Sequence, residues 1–444
     1  MREALPLRWA DGYLPIEDYG LIGDGTTCAL VGRDGAIAWL CVPRFDAPPL
    51  FSRLLDANGG GAFVVAPENL VASRQSYEPD SGVLVTEMRS GSGLVRVTDA
   101  LTLRSEADLV EAVPSGRQEL LRSVTVLEGR ARLRIVVEPR GGAEAEREGG
   151  GVRIHCAAQP SLDLHLAATA PLDGLRGILE MGAGERLDLF LSWGRTSRRH
   201  EPMPPDRILR ETIGAWRRWL QSFIYDGPQE PLVRRSAVTL KLLDYFANGA
   251  MVAAATSSLP EAIGGPRNWD YRFTWIRDAA YSVYALRRIG LTEQAWLFLS
   301  WVLDVAERAG RPRVLYDLDG TQPPPERVDP DLEGYRRSAP VRWGNAAADQ
   351  RQHDVYGEIL DCAYQWAVRG GVLEEPLWRR LRVMVEAARD QWNTPDHGIW
   401  EVRTPGRVFT YSAALCQVAL DRGARLAEAF GLPGDVAGWR RSAD

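Results

Sequence analysis

The chain is poor in the residues that build metal centres and disulfide frameworks. Its five histidines include no pair at ligand spacing, and none of its cysteines forms a C-x-x-C motif. These absences argue against a zinc site and against a disulfide-stapled scaffold. An odd number of scattered cysteines indicates reduced thiols, so we predict a cytoplasmic location and no bound metal. The cysteines are Cys28, Cys41, Cys156, Cys362 and Cys416.

Long apolar stretches and basic runs are also missing. No apolar run reaches the roughly 18 residues that a membrane-spanning helix needs, so no membrane partner is expected. The N-terminal sequence MREALPLRWADGYLP has no apolar core, so no secretory signal is expected. The net charge is −6 and no lysine- or arginine-rich run is present, which argues against nucleic acid as a partner. The 444 residues are enough for two or three domains.

The first half of the chain has the texture of a β-domain. From about residue 18 to about residue 198, short β-like runs alternate with turn residues, and Asp34-Gly35 signals a hairpin turn. This pattern predicts a large antiparallel sandwich. The segment Arg140–Gly151 is rich in Gly, Glu and Arg and is predicted to be an exposed loop. The predicted strands are Cys28–Val31, Ala36–Val42, Gly61–Val65, Val83–Met88, Leu94–Leu103, Glu119–Leu127, Ala131–Val137, Val152–Ala157, Leu162–Ala168 and Arg186–Trp193.

The second half has a helical period. After a break at Glu201–Pro205, apolar residues recur at turn-like spacing. We therefore predict a β-sandwich domain at residues 1–200, a linker helix at 201–229 and a helical domain at 230–444. The segment Gly310–His353 exceeds 40 residues, a length that indicates a functional or a disordered loop. The predicted helices are Asp206–Ile224, Pro231–Ala247, Asp278–Ile289, Glu293–Ala309, Asp354–Val368, Glu375–Trp392, Tyr411–Phe430 and Asp435–Ala443.

One segment, Asn268–Tyr281 (NWDYRFTWIRDAAY), mixes aromatic and charged residues densely. Aromatic faces stack on the C–H faces of sugar rings, and Arg and Asp make directional hydrogen bonds to hydroxyls, so the segment suits a carbohydrate site. The alternative is the start of a buried helix with an ordinary Arg–Asp pair at its N-terminus. The aromatic residues are Trp269, Tyr271, Phe273 and Trp275, and the charged ones are Asp270, Arg272, Arg277 and Asp278.

A second cluster, DQRQHDVYGEILD, carries three carboxylates at helical spacing. Asp354, Glu358 and Asp361 lie at i, i+4 and i+7, so a helix places them on one face. Like charges that close raise one another's pKa, which keeps a carboxyl group protonated as a general acid. The alternative is that Asp354 caps the helix and Glu358 lies on a solvated face.

Two further loops repeat the pairing of aromatic and charged residues. Four such segments between predicted helices favour a single shared pocket. The first loop, GYRRSAPVRWGN, contains Tyr335, Arg336, Arg342, Trp343 and Asn345, and the second, HGIWEVR, contains Trp400, Glu401 and Arg403.

These motifs resemble those of family 15 glycoside hydrolases, the glucoamylase and bacterial trehalase family. The likeness covers nearly the whole chain, because the motifs occur in family order. It implies a β-supersandwich followed by an (α/α)6 barrel, and hydrolysis of an α-glucosidic bond with inversion and without a cofactor. The matching segments are Pro15–Pro48, Ser257–Tyr281, Gly334–Asp361 and Gly398–Cys416.

The resemblance also implies roles for individual residues. Arg277 and Asp278 match the pair that holds hydroxyls of the non-reducing glucose, and Tyr271 matches a stacking tyrosine. Glu358, in the V-Y-G-E motif, matches the general acid that protonates the leaving group. The remaining residues expected to line the sugar sites are Trp269, Trp275, Arg342, Trp343, Asp354, Trp400, Glu401 and Arg403.

The family pattern is not fully matched. Its general base is a Glu near the C-terminus of longer chains, and we find no such base in this one. About seven helices follow Pro231 where a closed barrel has twelve, so the barrel is predicted to be incomplete at its C-terminus.

These motifs support three hypotheses about function. The first is an inverting α-glucosidase, with trehalose favoured on resemblance and a glucoamylase- or isomaltose-type activity as the alternative. The second is a catalytically silent fragment that binds sugar but lacks the base. The third treats the sequence as part of a longer reading frame. Each predicts a small α-glucoside or oligosaccharide as the ligand.

Overall fold

The computed structural model describes residues 4–148, 150–172, 174–194 and 203–444. The predicted domain boundary between residues 200 and 201, and the start of the predicted break at Glu201, lie outside these ranges. The division into three domains therefore stays a prediction.

The N-terminal half is built from antiparallel strands, some buried along their whole length and others with alternating burial. In the strand that contains Val95 and Val97, both valines are fully buried while Arg96 between them is exposed, as expected for a sheet with one solvated face. The strands are β1 Leu5–Pro6, β2 Tyr19–Gly23, β3 Cys28–Gly32, β4 Ala36–Cys41, β5 Pro49–Phe51, β6 Ala62–Pro67, β7 Leu70–Tyr77, β8 Leu84–Ser90, β9 Gly93–Leu103, β10 Gly116–Glu138, β11 Ala143–Glu148, β12 Gly151–Cys156, β13 Leu164–Ala168, β14 Arg176–Gly182 and β15 Arg186–Trp193.

The long strand β10 joins two packed sheets. One sheet has the order β1-β7-β8-β9-β10-β15-β13-β12-β11, and the other runs through β2, β3, β4, β6, β10 and β14. We predicted two strands here, Glu119–Leu127 and Ala131–Val137, which was wrong. A register shift between Val126 and Glu128 bends the strand without ending it, so one strand serves both sheets.

A second error in this half concerns Arg140–Gly151, which was predicted to be a loop. Residues Ala143–Glu148 form β11, whose backbone pairs in register with β12. Five of its six side chains are exposed, so the charged composition that suggested a loop belongs to a solvated edge strand. The remaining predicted strands were correct in position. Five other strands were not predicted: Leu5–Pro6, Tyr19–Gly23, Pro49–Phe51, Leu70–Tyr77 and Arg176–Gly182.

Eight α-helices follow among the described residues, and the helical period predicted all of them. Two end earlier than expected: α1 gives way to a 3-10 turn at Leu220–Ser222, and α2 stops because Asp244–Tyr245 pairs with Ala250–Met251 as a short hairpin. None of the described helices is long and apolar enough to cross a membrane. The helices are α1 Pro205–Trp219, α2 Glu230–Lys241, α3 Ile276–Arg288, α4 Glu293–Arg308, α5 Asp354–Ala367, α6 Glu375–Gln391, α7 Thr410–Phe430 and α8 Val436–Ala443.

The two halves share a hydrophobic core. The main helical cluster includes Cys28, Phe45 and Leu103 from the sandwich, together with Trp216 of α1 and Phe246. Burying such aromatic side chains supplies roughly 1.5–3 kcal/mol each, so the sandwich supports the helical layer.

The long segment Gly310–His353 is ordered and lies against the sandwich. The Tyr335 hydroxyl donates to the carbonyl of Leu14 at 2.9 Å, and Trp343 stacks on Trp39 with ring centroids 6.4 Å apart. Short paired strands lie in and around this segment, and one of them, Leu315–Tyr316, pairs with Thr274–Trp275 directly before α3. These short strands are β16 Asp244–Tyr245, β17 Ala250–Met251, β18 Ser257–Pro260, β19 Asn268–Asp270, β20 Thr274–Trp275, β21 Leu315–Tyr316, β22 Arg327–Asp329 and β23 Val341–Trp343.

Candidate active site

A wide cleft of about 1030 Å³ opens at the N-terminal end of α3. Eight residues that the sequence predicted as sugar contacts line it: Trp269, Tyr271, Trp275, Arg277, Asp278, Trp400, Glu401 and Arg403. The structure adds others that the sequence did not suggest: Ala253, Ala254, Glu261, Arg267, Ile399, Val402, Thr404 and Arg407. Of the four segments predicted to share one pocket, the one that contains WIRD and the HGIWEVR loop line this cleft, and the other two do not.

The Arg-Asp pair reaches the cleft because of how α3 begins. Trp275 is extended and pairs with Leu315, so the helix starts at Ile276 and its first turn carries Arg277 and Asp278. A carboxylate there interacts favourably with the helix dipole. Asp278 is solvent-exposed, and its carboxylate makes no hydrogen bond to another residue among those described. Its carboxylate is free to accept hydrogen bonds from a ligand.

Arg277 forms an ion pair with a buried carboxylate, that of Asp354. Its Nη1 donates to Asp354 Oδ2 at 2.8 Å and to Gln352 Oε1 at 3.1 Å. Asp354 is completely buried, so it is a counter-ion for Arg277 and does not contact the cleft as predicted. The alternative role as a helix cap is also wrong, since His353 occupies the N-cap position. Burial raises the pKa of Asp354, and Arg277 opposes that shift.

Glu401 is the most firmly held carboxyl group of the cleft. Its Oε1 accepts from Trp275 Nε1 at 2.7 Å, and Arg277 Nη2 lies 3.6 Å away. Its backbone φ is 54°, a strained conformation for a residue other than glycine, and the Gln350 side chain holds its carbonyl at 3.2 Å. Burial raises the pKa of Glu401, and the Trp275 hydrogen bond opposes the shift. Oε2 has no hydrogen bond among the described residues and remains available.

Glu358 lies outside the cleft. It lines a separate cavity of about 330 Å³ between α3, α5 and α7, and it is only 6% exposed, which contradicts the solvated-face alternative. Burial raises its pKa to about 8, while a 3.0 Å hydrogen bond from the Tyr411 hydroxyl opposes the shift. The raised pKa was predicted, but its main cause is burial; the like charge of Asp354 adds less. The cavity is lined by Ala280, Tyr281, Val283, Tyr284, Arg287, Glu358, Asp361, Cys362, Gln365 and Arg422.

Two other predicted contacts lie behind the cleft wall. Trp343 is 5% exposed and donates its indole N–H to Asp329 Oδ2 at 2.6 Å, inside the core shared with the sandwich. Arg342 donates to the carbonyls of Pro266 at 2.8 Å and Asn268 at 3.1 Å. Both residues support the wall, and neither is among the residues that line it.

Sequence reasoning missed several residues that shape the site. Gln350 and Gln352 are buried and fix Glu401 and Arg277. The only available signal was the alternation of polar residues in DQRQHD directly before α5. Asp396, which accepts from the backbone N–H of His353 at 2.9 Å, gave no signal at all, because its role depends on a tertiary contact.

Comparison with known proteins agrees with this architecture. The family description "Glycosyl hydrolases family 15" matches residues 227–444, and "Trehalase-like, N-terminal" matches residues 8–167. A trehalase of Mycobacterium tuberculosis is 36% identical over 471 residues, covering 99% of this chain and 68% of that protein. A trehalase of Thermoplasma volcanium is 35% identical, covering 98% of this chain and 70% of that protein.

A solved structure shares the fold. A bacterial glucoamylase, crystallised with acarbose, superposes with a TM-score of 0.65 and covers 100% of this chain and 68% of its own, at 14% identity. The predicted fold class, an antiparallel β-supersandwich followed by an (α/α)6-type helical barrel, is confirmed.

Proposed function

We propose that this chain, which belongs to glycosyl hydrolase family 15, hydrolyses α-glucosidic bonds with inversion and that trehalose is its favoured substrate. The observation that carries the proposal is the meeting of Arg277, Asp278 and Glu401 with aromatic side chains in one wide cleft. The preference for trehalose is supported by relatives that carry the name trehalase. We also retain the division at residues 1–200, 201–229 and 230–444 as a proposal, and a cytoplasmic location, which five buried free cysteines support.

The non-reducing glucose is proposed to bind at the start of α3. Asp278 accepts hydrogen bonds from sugar hydroxyls, and Arg277, neutralised by Asp354, presents its remaining N–H groups in a fixed orientation. Tyr271 and Trp275, whose ring centroids are 5.3 Å apart, supply an apolar face for the sugar ring. Burial raises the pKa of Tyr271 to about 12, so its hydroxyl stays protonated and able to donate.

We propose Glu401 as the general acid in place of Glu358. Both carboxyl groups have raised pKa values, as an acid at neutral pH requires, but only Glu401 lines the cleft that holds Arg277 and Asp278. Trp275 and Gln352 fix one oxygen of Glu401, which leaves the other free to carry the proton to the glycosidic oxygen. Glu358 is 6% exposed and lines the neighbouring cavity, which shares no lining residue with the cleft.

Inversion also needs a second carboxylate on the opposite side of the sugar ring, roughly 6.5–9.5 Å from the acid, to activate a water molecule. The prediction that this base is not among the 444 residues stays a prediction, and we propose no residue for it.

The test is glucose release from trehalose, maltose and isomaltose, with proton NMR of the first product. The proposal expects turnover, fastest on trehalose, and β-glucose as the initial product from one ring because inversion changes the anomer. Faster turnover of maltose or isomaltose would assign a glucoamylase- or isomaltose-type specificity. Binding of a glucoside without any turnover would favour the silent sugar-binding alternative and contradict the proposal.

A further inference from the structure

The cleft wall at Trp269 contains two positive charges packed on one aromatic ring. The guanidinium carbon of Arg342 lies 4.4 Å from the Trp269 ring centroid, and that of Arg403 lies 4.3 Å from it. Both distances are in the range of cation–π contacts. Trp269 was predicted to stack on a sugar, but much of its ring area is already covered by these two side chains.

One carboxylate forms ion pairs with both cations. Arg403 Nη2 lies 3.0 Å from one oxygen of Glu326, and Arg342 Nε lies 3.5 Å from the other. The Glu326 side chain is 19% exposed, so solvent screens these charges less than it would at an open surface. Without this carboxylate, two guanidinium groups beside the same ring would repel each other.

The backbone fixes Glu326 at this position. It directly precedes strand β22, which pairs with β23 in the register Arg327↔Trp343 and Val328↔Arg342. Glu326 Oε2 also accepts from the backbone N–H of Ala346 at 3.2 Å, where the turn towards Gln350 and α5 begins. The carboxylate thus connects the long Gly310–His353 segment to the cleft.

We propose that Glu326 is a positioning residue that holds Trp269 and Arg403 as a rigid wall for the substrate. The proposal rests on the function proposed above, since it assumes that a glucoside occupies the cleft. Arg403 depends more on Glu326 for its position, because its side chain is 40% exposed, whereas that of Arg342 is 15% exposed and donates to two carbonyls. Glu326 contacts neither Arg277 nor Glu401, so it acts on substrate binding and leaves the chemical step alone.

Glu326→Gln tests this separation. The amide removes the charge but keeps an oxygen that can accept from Ala346, so the turn is preserved. We expect KM for the best glucoside to rise about tenfold with kcat within about twofold, because a loss of uniform binding raises KM alone. Arg403→Gln should raise KM similarly, and the double variant should be no worse than the worse single variant, since coupled residues are not additive. Glu333→Gln, on the same segment but bonded to Tyr13, is the matched control and should leave both constants unchanged.

A second measurement does not depend on turnover. Loss of the ion pairs should open Trp269 to solvent, so acrylamide should quench more of the tryptophan fluorescence in Glu326→Gln than in the native chain. This increase should vanish when both are compared in a Trp269→Phe background. If the native chain hydrolyses no glucoside, the proposed function fails while quenching still judges the role of Glu326. Unchanged KM and quenching in a folded variant, or a fall in kcat at constant KM, would overturn the inference.

Discussion

The two cavities beside α3 contain similar chemistry in different settings. Each presents a glutamate with a raised pKa, Glu401 in the wide cleft and Glu358 in the smaller cavity. In the cleft, the carboxyl group lies with Arg277 and with Asp278, whose carboxylate bonds to no other residue in the described part of the chain. In the smaller cavity, it faces Asp361, which is already paired with Arg422 at 2.6 Å.

The difference shows that a raised pKa identifies a carboxyl group that stays protonated near neutral pH. It does not show that this group acts as a general acid. Burial is the largest cause of the shift for both glutamates, so the shift by itself does not distinguish them. What distinguishes them is their surroundings: Glu401 lines the cleft that also contains Asp278 and Arg277, whereas Glu358 lines the cavity in which Asp361 pairs with Arg422. Protons are transferred only within hydrogen-bond reach of the substrate.

The largest expected effect separates the two glutamates directly. Glu401→Gln should lower kcat by roughly 10²–10⁴-fold, the contribution of a positioned general acid, with sugar binding largely retained. Glu358→Gln, the matched change in the other cavity, should lower kcat by less than about tenfold. Steady-state kinetics on the best glucoside measure both.

The opposite pattern would break the comparison. If Glu358→Gln abolished turnover and Glu401→Gln did not, the motif-based assignment of Glu358 would be restored, and the smaller cavity would belong to the active site.

The next effect concerns stability and pH. Glu358 has a pKa of about 8 in the folded chain against an ordinary value of 4.5. Below pH 4.5 both states are protonated. Between pH 4.5 and pH 8 only the unfolded state ionises, so the free energy of unfolding falls as pH rises, by up to about 4 kcal/mol. Glu358→Gln should remove this part of the decrease in the free energy of unfolding. The decreases caused by Asp278, Asp354 and Glu401, whose pKa values are also raised, should remain.

Urea unfolding at pH 5 and pH 8 measures how much Glu358 contributes to the pH dependence of the free energy of unfolding. The stability difference between the native chain and Glu358→Gln should change by a few kcal/mol across this range. If this stability difference were the same at both pH values, Glu358 would ionise normally in the folded chain. Water would then fill the cavity around it.

The fold was largely predictable because hydrophobic period reports directly on local structure. All eight described helices were predicted, since their buried stripes recur every three or four residues. The errors arose where local signals were ambiguous. Glu128-Gly129-Arg130 looks like a turn but continues β10 beyond the register shift between Val126 and Glu128, and the charges of Ala143–Glu148 look like a loop but occupy an edge strand.

The site was less predictable because the helical period shows which side chains share one face of a helix. It does not show which other elements that face packs against. Helical spacing does place Glu358 and Asp361 together, as the structure shows. It does not reveal that their face meets α3 and α7 beneath the cleft. In the same way, Trp343 and Trp400 both follow the pattern of an aromatic beside an arginine or glutamate. Trp343 is buried against Asp329, whereas Trp400 is 77% exposed at the cleft.

A smaller effect is expected from the free carboxylate of the cleft. Asp278→Asn should lower kcat/KM by roughly 10–100-fold, because a hydrogen bond to a charged group is worth about 1.5–3 kcal/mol. Asp361→Asn, in the other cavity, is the control and should leave kcat/KM within about twofold. Unchanged kinetics for Asp278→Asn would mean that the Arg-Asp pair only starts the helix.

The smallest expected effect concerns the hydrogen bonds inside the smaller cavity, which Glu358 lines. The Tyr411 hydroxyl donates to Glu358 Oε1 at 3.0 Å and lies 3.2 Å from the hydroxyl of Tyr281. Its hydrogen bond lowers the pKa of Glu358, so Tyr411→Phe should raise that pKa further above 8, by an amount equivalent to about 1 kcal/mol. Carbon-13 NMR of the glutamate carboxyl groups, assigned with Glu358→Gln, follows the titration. Tyr281→Phe keeps the bond to Glu358 and should shift its pKa less. If kcat moved with this titration while Glu401 was intact, proton supply would link the two cavities, and the contrast between them would be one of degree.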